Sequence, residues 1–304
     1  MQSVTKSTAR QQWRADALLL LITLIWGSTF ATSKYLLSSI SPFFYIGIRF
    51  ALAAAILSAL SFNRIRGITR TATRKGAILG ALLFVGFALQ TVGLQYTGAS
   101  KSAFITGMMV VFVPLLQVVI ERRPPRPGNV VGVAIVTLGL WFLTSPAGES
   151  FNSGDALTML CSVLFAVYIV YLDVVSKEMT TEQLVVIQMV ATGVMALIAT
   201  ALFETPRLVP TTQAIASLVY LTLLATVLTT YVQTRFQKET TPTRAVVIFS
   251  IEPVIATVVA YVLLGETLGP LGVLGGALII AGVLVSEFAD AIPFLRRGED
   301  RGDS

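Results

Sequence analysis

Apolar runs close to 20 residues long, divided by short polar or basic stretches, fill almost the whole chain. A helix rises 1.5 Å per residue, so roughly 20 apolar residues span the ~30 Å hydrocarbon core of a bilayer. The pattern predicts ten such helices, over residues 17–37, 42–62, 76–96, 99–120, 128–145, 155–172, 183–203, 212–235, 243–265 and 269–289. Their connections are short and leave no room for a soluble domain. The first run is too long for a signal-peptide core, and nine more follow it, so it is read as a retained span. The fold class is therefore expected to be all-α: a polytopic membrane protein.

Composition points the same way. Of 304 residues, 55% are hydrophobic and only 12% charged, with mean hydropathy +0.79. Soluble domains carry about a quarter charged residues, so this chain could not cover a water-facing surface.

The net charge of +6 suggests nucleic acid only until the charges are placed. With a cytoplasmic N-terminus, one side carries Lys6, Arg10, Arg14, Arg64, Arg66, Arg70, Arg74, Lys75, Arg122, Arg123, Arg126, Lys177, Arg235, Lys238, Arg244, Arg296, Arg297 and Arg301. The other carries Lys34, Lys101 and Arg207, while Arg49 lies inside a span. Under the positive-inside rule both termini face the cytoplasm, and these residues are topology anchors with no nucleic-acid role.

The single cysteine, Cys161, rules out a disulfide framework, and the lack of any histidine rules out Ser-His and Cys-His triads and HExxH zinc sites. No GxxxxGK[ST] loop is present. No catalytic residue, cofactor or metal is expected, and an enzyme is disfavoured.

The chain also reads as written twice. "DAL" at 16–18 recurs at 155–157, and the same offset pairs Trp26 with Phe165, Lys34 with Asp173, and Arg49 with Gln188. "ASKSAF" (99–104) aligns with "TPTRAV" (241–246), and the Gly128–Gly132 spacing returns as Gly272–Gly276. Five spans per copy is an odd number, so the second copy enters the membrane from the opposite side. Residues 16–147 and 148–290 are expected to form inverted five-helix repeats, flanked by cytoplasmic tails at 1–15 and 291–304. Such repeats are typical of carriers that expose one site alternately to either side.

Here the chain resembles the EamA family of the drug/metabolite transporter superfamily. The likeness rests on "WGSTF" in the first span, an arginine seven residues after Pro42, "EP" at Glu252–Pro253 and "LLGE" at 263–266. Pro114 departs from the pattern, lying only seven residues before Glu121 against thirteen between Pro253 and Glu266. Within the superfamily the chain is most similar to the YddG-type exporters. This implies secondary export of aromatic and other amino acids across the bacterial inner membrane, with a multidrug or organic-cation exporter as the alternative on the same scaffold. Small multidrug exporters carry a glutamate inside the first span; residues 17–37 hold no acid, which leaves Glu252 or facilitated transport. The implied partners are a small-molecule substrate and the lipid bilayer, with the chain as monomer or homodimer.

Substrate-binding candidates follow from residue types that are costly at bilayer depth. Trp26 near mid-span is either a cavity wall that stacks on a flat substrate or a helix-packing residue; Trp13 and Trp141 suit the interfacial belt. Arg49 is expensive inside a span and its fork suits a carboxylate, unless it snorkels out; Tyr45 shares its face. Glu252, next to a proline that frees the carbonyl of Phe249, could hold an ammonium group or pair with Arg49. Weaker candidates are Phe87 and Gln90, Tyr168, Gln188, and Tyr231 with Gln233. Pro42, Pro114 and Pro253 are expected kinks or hinges, and the two G-x-x-x-G turns expected close-packing sites of helices five and ten, within a monomer or in a dimer.

Overall fold

A backbone in lipid must satisfy its own hydrogen bonds, which leaves helices as the economical answer for runs this apolar. The computed structural model describes residues 9–121, 127–144, 151–267 and 269–288, and among them no strand occurs; a single bridge joins Ile40 and Leu208. The helices are α1 (Ala9–Leu36), α2 (Pro42–Leu60), α3 (Arg70–Gly93), α4 (Ala99–Gly107), α5 (Met109–Glu121), α6 (Pro127–Thr144), α7 (Ser153–Ser176), α8 (Thr181–Phe203), α9 (Thr212–Thr222), α10 (Thr229–Phe236), α11 (Pro242–Phe249), α12 (Glu252–Leu264) and α13 (Pro270–Phe288). Lys6, Arg122, Arg123, Arg126, Arg296, Arg297, Arg301 and the expected C-terminal tail lie outside the described residues.

Among the described residues, eight helical runs are long and apolar enough to cross a membrane: Arg10–Leu36, Pro42–Leu60, Arg70–Gly93, Ala99–Val119, Ser153–Ser176, Thr181–Phe203, Thr212–Glu239 and Pro242–Leu264. The expected spans at 128–145 and 269–289 form shorter apolar helices, Pro127–Phe142 and Pro270–Val285. Helix starts follow local chemistry: Thr69, Asn152, Thr180, Thr211 and Thr241 each accept a first-turn backbone N–H. Such caps contribute about 1 kcal/mol apiece. Gly265, at φ +70°, closes α12 in the left-handed conformation that glycine adopts freely.

Three of the long spans are interrupted. The run through α4 and α5 breaks at Met108, and that through α11 and α12 at Ser250 and Ile251. Met108 and Ser250 stand 142 residues apart, as do Ala99 and Thr241, so both breaks fall at one place in the repeated pattern. One break ends two residues before an expected hinge, Pro253, whereas neither Pro42 nor Pro114 lies at a break. Pro42 opens α2, Pro114 sits inside α5, and Pro253 is the second residue of α12, where its missing N–H costs least. The breaks meet: a Cβ on Gly107 would lie 2.9 Å from Cγ of Pro253. The third interruption is a π-helical turn, Leu223–Leu228, between α9 and α10.

Packing joins the two halves of the chain. α2 lies along α8, α3 against α7 and α8, α1 against α12 and α5 against α7. α4 touches α12 while α11 touches α5, an exchange of like partners. α6 and α13 pack on each other within the chain. The glycines at their closest approach are only partly those of the G-x-x-x-G turns. A Cβ on Gly282 would stand 2.9 Å from the Gly132 carbonyl, and one on Gly139 would stand 2.8 Å from that of Gly275. Gly276 has only Val254 nearby, at 3.8 Å.

Candidate functional site

The "WGST" of α1 divides its residues among three neighbours. Gly27 faces α12, where a Cβ would lie 2.5 Å from Cβ of Ile255 and 3.0 Å from the Glu252 carbonyl. Only glycine lets the two helices come this close. The Ser28 and Thr29 hydroxyls donate to the carbonyls of Ile25 and Trp26, three residues back, each at 2.7 Å, and Ser28 also meets the Tyr220 hydroxyl at 2.6 Å. Trp26 is left to line a cavity, its ring edge-to-face with Phe249 at 5.3 Å and 75°.

That cavity, about 80 Å³, lies between α1, α2, α3, the α4–α5 break, α7, the π turn with α10, and the α11–α12 break. Its walls are largely aromatic and apolar. Phe87 stands edge-to-face with Phe50 at 5.1 Å and with Phe165 at 5.4 Å.

Arg49 is the cation of this chamber. Only 3% exposed, it does not run out to the surface. It donates Nε to Thr226 Oγ1 at 2.6 Å, one terminal nitrogen to the Tyr45 hydroxyl at 2.7 Å, and the other to the Ala225 carbonyl at 3.1 Å. Its guanidinium also lies over the Phe87 ring, 5.1 Å from the centroid. The π turn supplies the cradle: Thr226 Oγ1 donates to the Leu221 carbonyl, five residues back, at 2.8 Å while accepting from Arg49. π turns often mark functional positions. No carboxylate pairs with Arg49 among the described residues.

Glu252 is the acid of this lining. It is 9% exposed, opens α12 immediately after the break, and faces the same cavity. No hydrogen bond or ion pair joins it to a described residue, so the considered pairing with Arg49 is not formed. Arg49 and Glu252 thus line one chamber without touching.

The other candidates fall into three places. Gln90 lines the cavity and donates to Thr106 Oγ1 at 3.2 Å, bridging α3 and α4. Tyr45 lies behind Arg49 in a small side pocket with Ser33, Thr91 and Leu94. Tyr168 lines the cavity and donates to Gln188 Oε1 at 3.0 Å, and Gln188 donates onward to Thr234 Oγ1 at 3.3 Å. Gln188 is therefore a buried strut beneath the wall. Tyr231 stands beside Glu182, away from the lining, whereas Gln233 faces in. Lining residues not foreseen include Thr29, Phe50, Thr106, Met109, Phe165, Thr226, Thr230 and Phe249. Phe165 had a signal, as the repeat counterpart of Trp26.

Helices of membrane-crossing length that surround a chamber with an unpaired arginine and an unpaired glutamate define the class: a multi-pass membrane transporter. Comparison with known proteins gives the family. The EamA-like transporter family is matched twice, by residues 13–145 and 152–288, and the chain belongs to it. An uncharacterized transporter of Archaeoglobus fulgidus is 32% identical over 89% of this chain and 85% of its own length. The uncharacterized inner membrane transporter YedA of Escherichia coli K12 is 29% identical over 86% of this chain and 87% of its own. A solved crystal structure shares the fold, with TM-score 0.75 at 20% identity over 94% of this chain and 99% of the other.

Proposed function

We propose that the protein is an alternating-access carrier exporting a small zwitterionic metabolite, an amino acid with an apolar or aromatic side chain, as YddG-type exporters do. One observation carries this reading. Arg49 and Glu252 line the same cavity, and neither has an opposite-charge partner among the described residues. A ligand bearing both charges would give each group the opposite-charge partner that the described residues do not supply. A carboxylate takes the two guanidinium N–H groups left after Thr226, Tyr45 and Ala225. An ammonium group meets Glu252, and Trp26, Phe50, Phe87, Phe165 and Phe249 enclose the side chain.

Two inverted five-helix repeats supply the motion in this reading. Its support is the double family match, the equivalent breaks at Met108 and Ser250, and the exchange of partners between α4–α12 and α11–α5. The chamber is complete within one chain, so a monomer suffices. The basic side, with both termini, faces the cytoplasm of a bacterial inner membrane.

The test is flux. Proteoliposomes loaded with labelled amino acids should release aromatic ones fastest, and failure to move any of them removes the proposal. An organic-cation exporter is the competing reading, favoured by Glu252 beside aromatic rings. It predicts that a quaternary ammonium compound competes with the amino acid and that Arg49→Gln leaves its flux intact.

A further inference from the structure

The repeated "DAL" has no place in the cavity, and its two aspartates do something else. Asp16 and Asp155 are both buried. Asp155, in the first turn of α7, pairs with Lys101 Nζ on α4 at 2.8 Å and accepts from Thr97 Oγ1 at 2.6 Å. Asp16, near the start of α1, pairs with a terminal nitrogen of Arg244 on α11 at 2.9 Å. Each pair therefore crosses between the two family-matched regions, joining the first helix of one to the leading half of the other's broken span.

The pairs lie at opposite ends of the molecule. Lys34, near the end of α1, donates to the Thr97 carbonyl at 2.6 Å, and Thr97 holds Asp155. Asp16 precedes Lys34 on the same helix by 18 residues, about 27 Å at 1.5 Å per residue. The cavity lies between. Its lining includes Thr106 and Met109 on either side of the α4–α5 break, and Phe249 and Glu252 on either side of the α11–α12 break.

We propose that Lys101–Asp155 and Asp16–Arg244 are two opposed latches, one closing each mouth of the cavity, which open in turn. A latch holds the outer end of a half-helix whose inner end forms the cavity wall. Releasing it frees that half-helix to swing at the break while the opposite latch keeps the far mouth shut. The inference rests on the transport reading but uses residues that never meet substrate.

Accessibility tests it independently of flux. A single cysteine is placed in the cavity wall as Thr230→Cys in a Cys161→Ala background, and labelled with a membrane-impermeant maleimide in right-side-out and inverted vesicles. Asp155→Asn should raise labelling several-fold from the face that carries Lys101 and lower it from the other; Asp16→Asn should do the reverse. Because Asp155 also caps α7, Lys101→Met breaks the same pair with the cap intact and should act alike. The exchange Lys101→Asp with Asp155→Lys should return labelling toward the parent ratio. The proposal is overturned if both latches shift labelling toward the same face, if neither shifts it, or if the exchange restores nothing. Latch-dependent labelling without flux would sink the transport reading alone, and flux with indifferent labelling would sink the latches alone.

Discussion

Thr226 accepts Nε of Arg49 at 2.6 Å while its own hydroxyl donates to the Leu221 carbonyl at 2.8 Å, so an irregular turn of one span orients the cation of another. The turn that opens the backbone at Leu223–Leu228 also presents the Ala225 carbonyl to the same guanidinium. Arg49 is thereby fixed on one edge and left with donors to spare on the other.

Arg49→Gln should impair every carboxylate substrate. A hydrogen bond to a charged group contributes about 1.5–3 kcal/mol, which corresponds to roughly a 10–100-fold loss in apparent affinity. Thr226→Val keeps the charge but loses one of the bonds that aim it, and should cost less than removing the guanidinium. Initial rates across a substrate series decide the matter. Equal transport by Arg49→Gln would make the arginine structural.

Trp26→Ala should discriminate by side chain. Aromatic pairs are worth about 0.5–1.5 kcal/mol beyond area, so phenylalanine-like substrates should lose roughly 2–10-fold more than alanine-like ones. A uniform loss would mean that the Trp26–Phe249 contact holds the wall and does not read the cargo.

Much of this was legible in the sequence, and the gaps have physical causes. Runs of bilayer length announce themselves by composition, and Arg49, Glu252 and Trp26 stand out because each is costly at such depth. The breaks at Met108 and at Ser250–Ile251 are only half written: Gly107 and Pro253 flank them, but a proline alone does not mark a break, as Pro114 inside α5 shows. The π turn at "LLATVL" is silent, being an ordinary apolar run. Tyr231 and Gln233 lie two residues apart, about 200° around a helix, so they could not both face inward. Gln233 does. Phe165 is legible only through the repeat, as the counterpart of Trp26, because a phenylalanine in an apolar span carries no signal of its own.

Gly27 should tolerate no side chain. The Cβ of Gly27→Ala would fall 2.5 Å from Cβ of Ile255, a branched atom held by the helix backbone. Overpacking of this kind costs typically about 1–3 kcal/mol. Thermal unfolding in detergent should show a clear drop, and the double variant Gly27→Ala with Ile255→Ala should recover much of it, as contacting residues couple. Additive losses would mean that the helices already separate at this point.

Acid should weaken the hold of Glu266 on the start of α4. Glu266 accepts from the Ala99 and Ser100 backbone N–H groups at 3.0 and 3.1 Å and from Ser100 Oγ at 2.6 Å. Partial burial works to raise its pKa, but the Ser100 hydroxyl, those two amides and the charge of Lys34 outweigh it and hold the carboxyl below 4.5. A carboxylate whose native pKa is depressed contributes stability that is complete above its unfolded value and lost as pH falls through the native one. Wild-type melting temperature should therefore decline as pH drops below about 4.5, and Glu266→Gln should start lower near neutrality and decline less over that range. Melting curves of both proteins between pH 7 and pH 3 measure this. Parallel declines would assign the acid sensitivity to other carboxylates, and an unchanged neutral-pH melting temperature would mean that the Glu266 contacts to α4 add nothing to the fold.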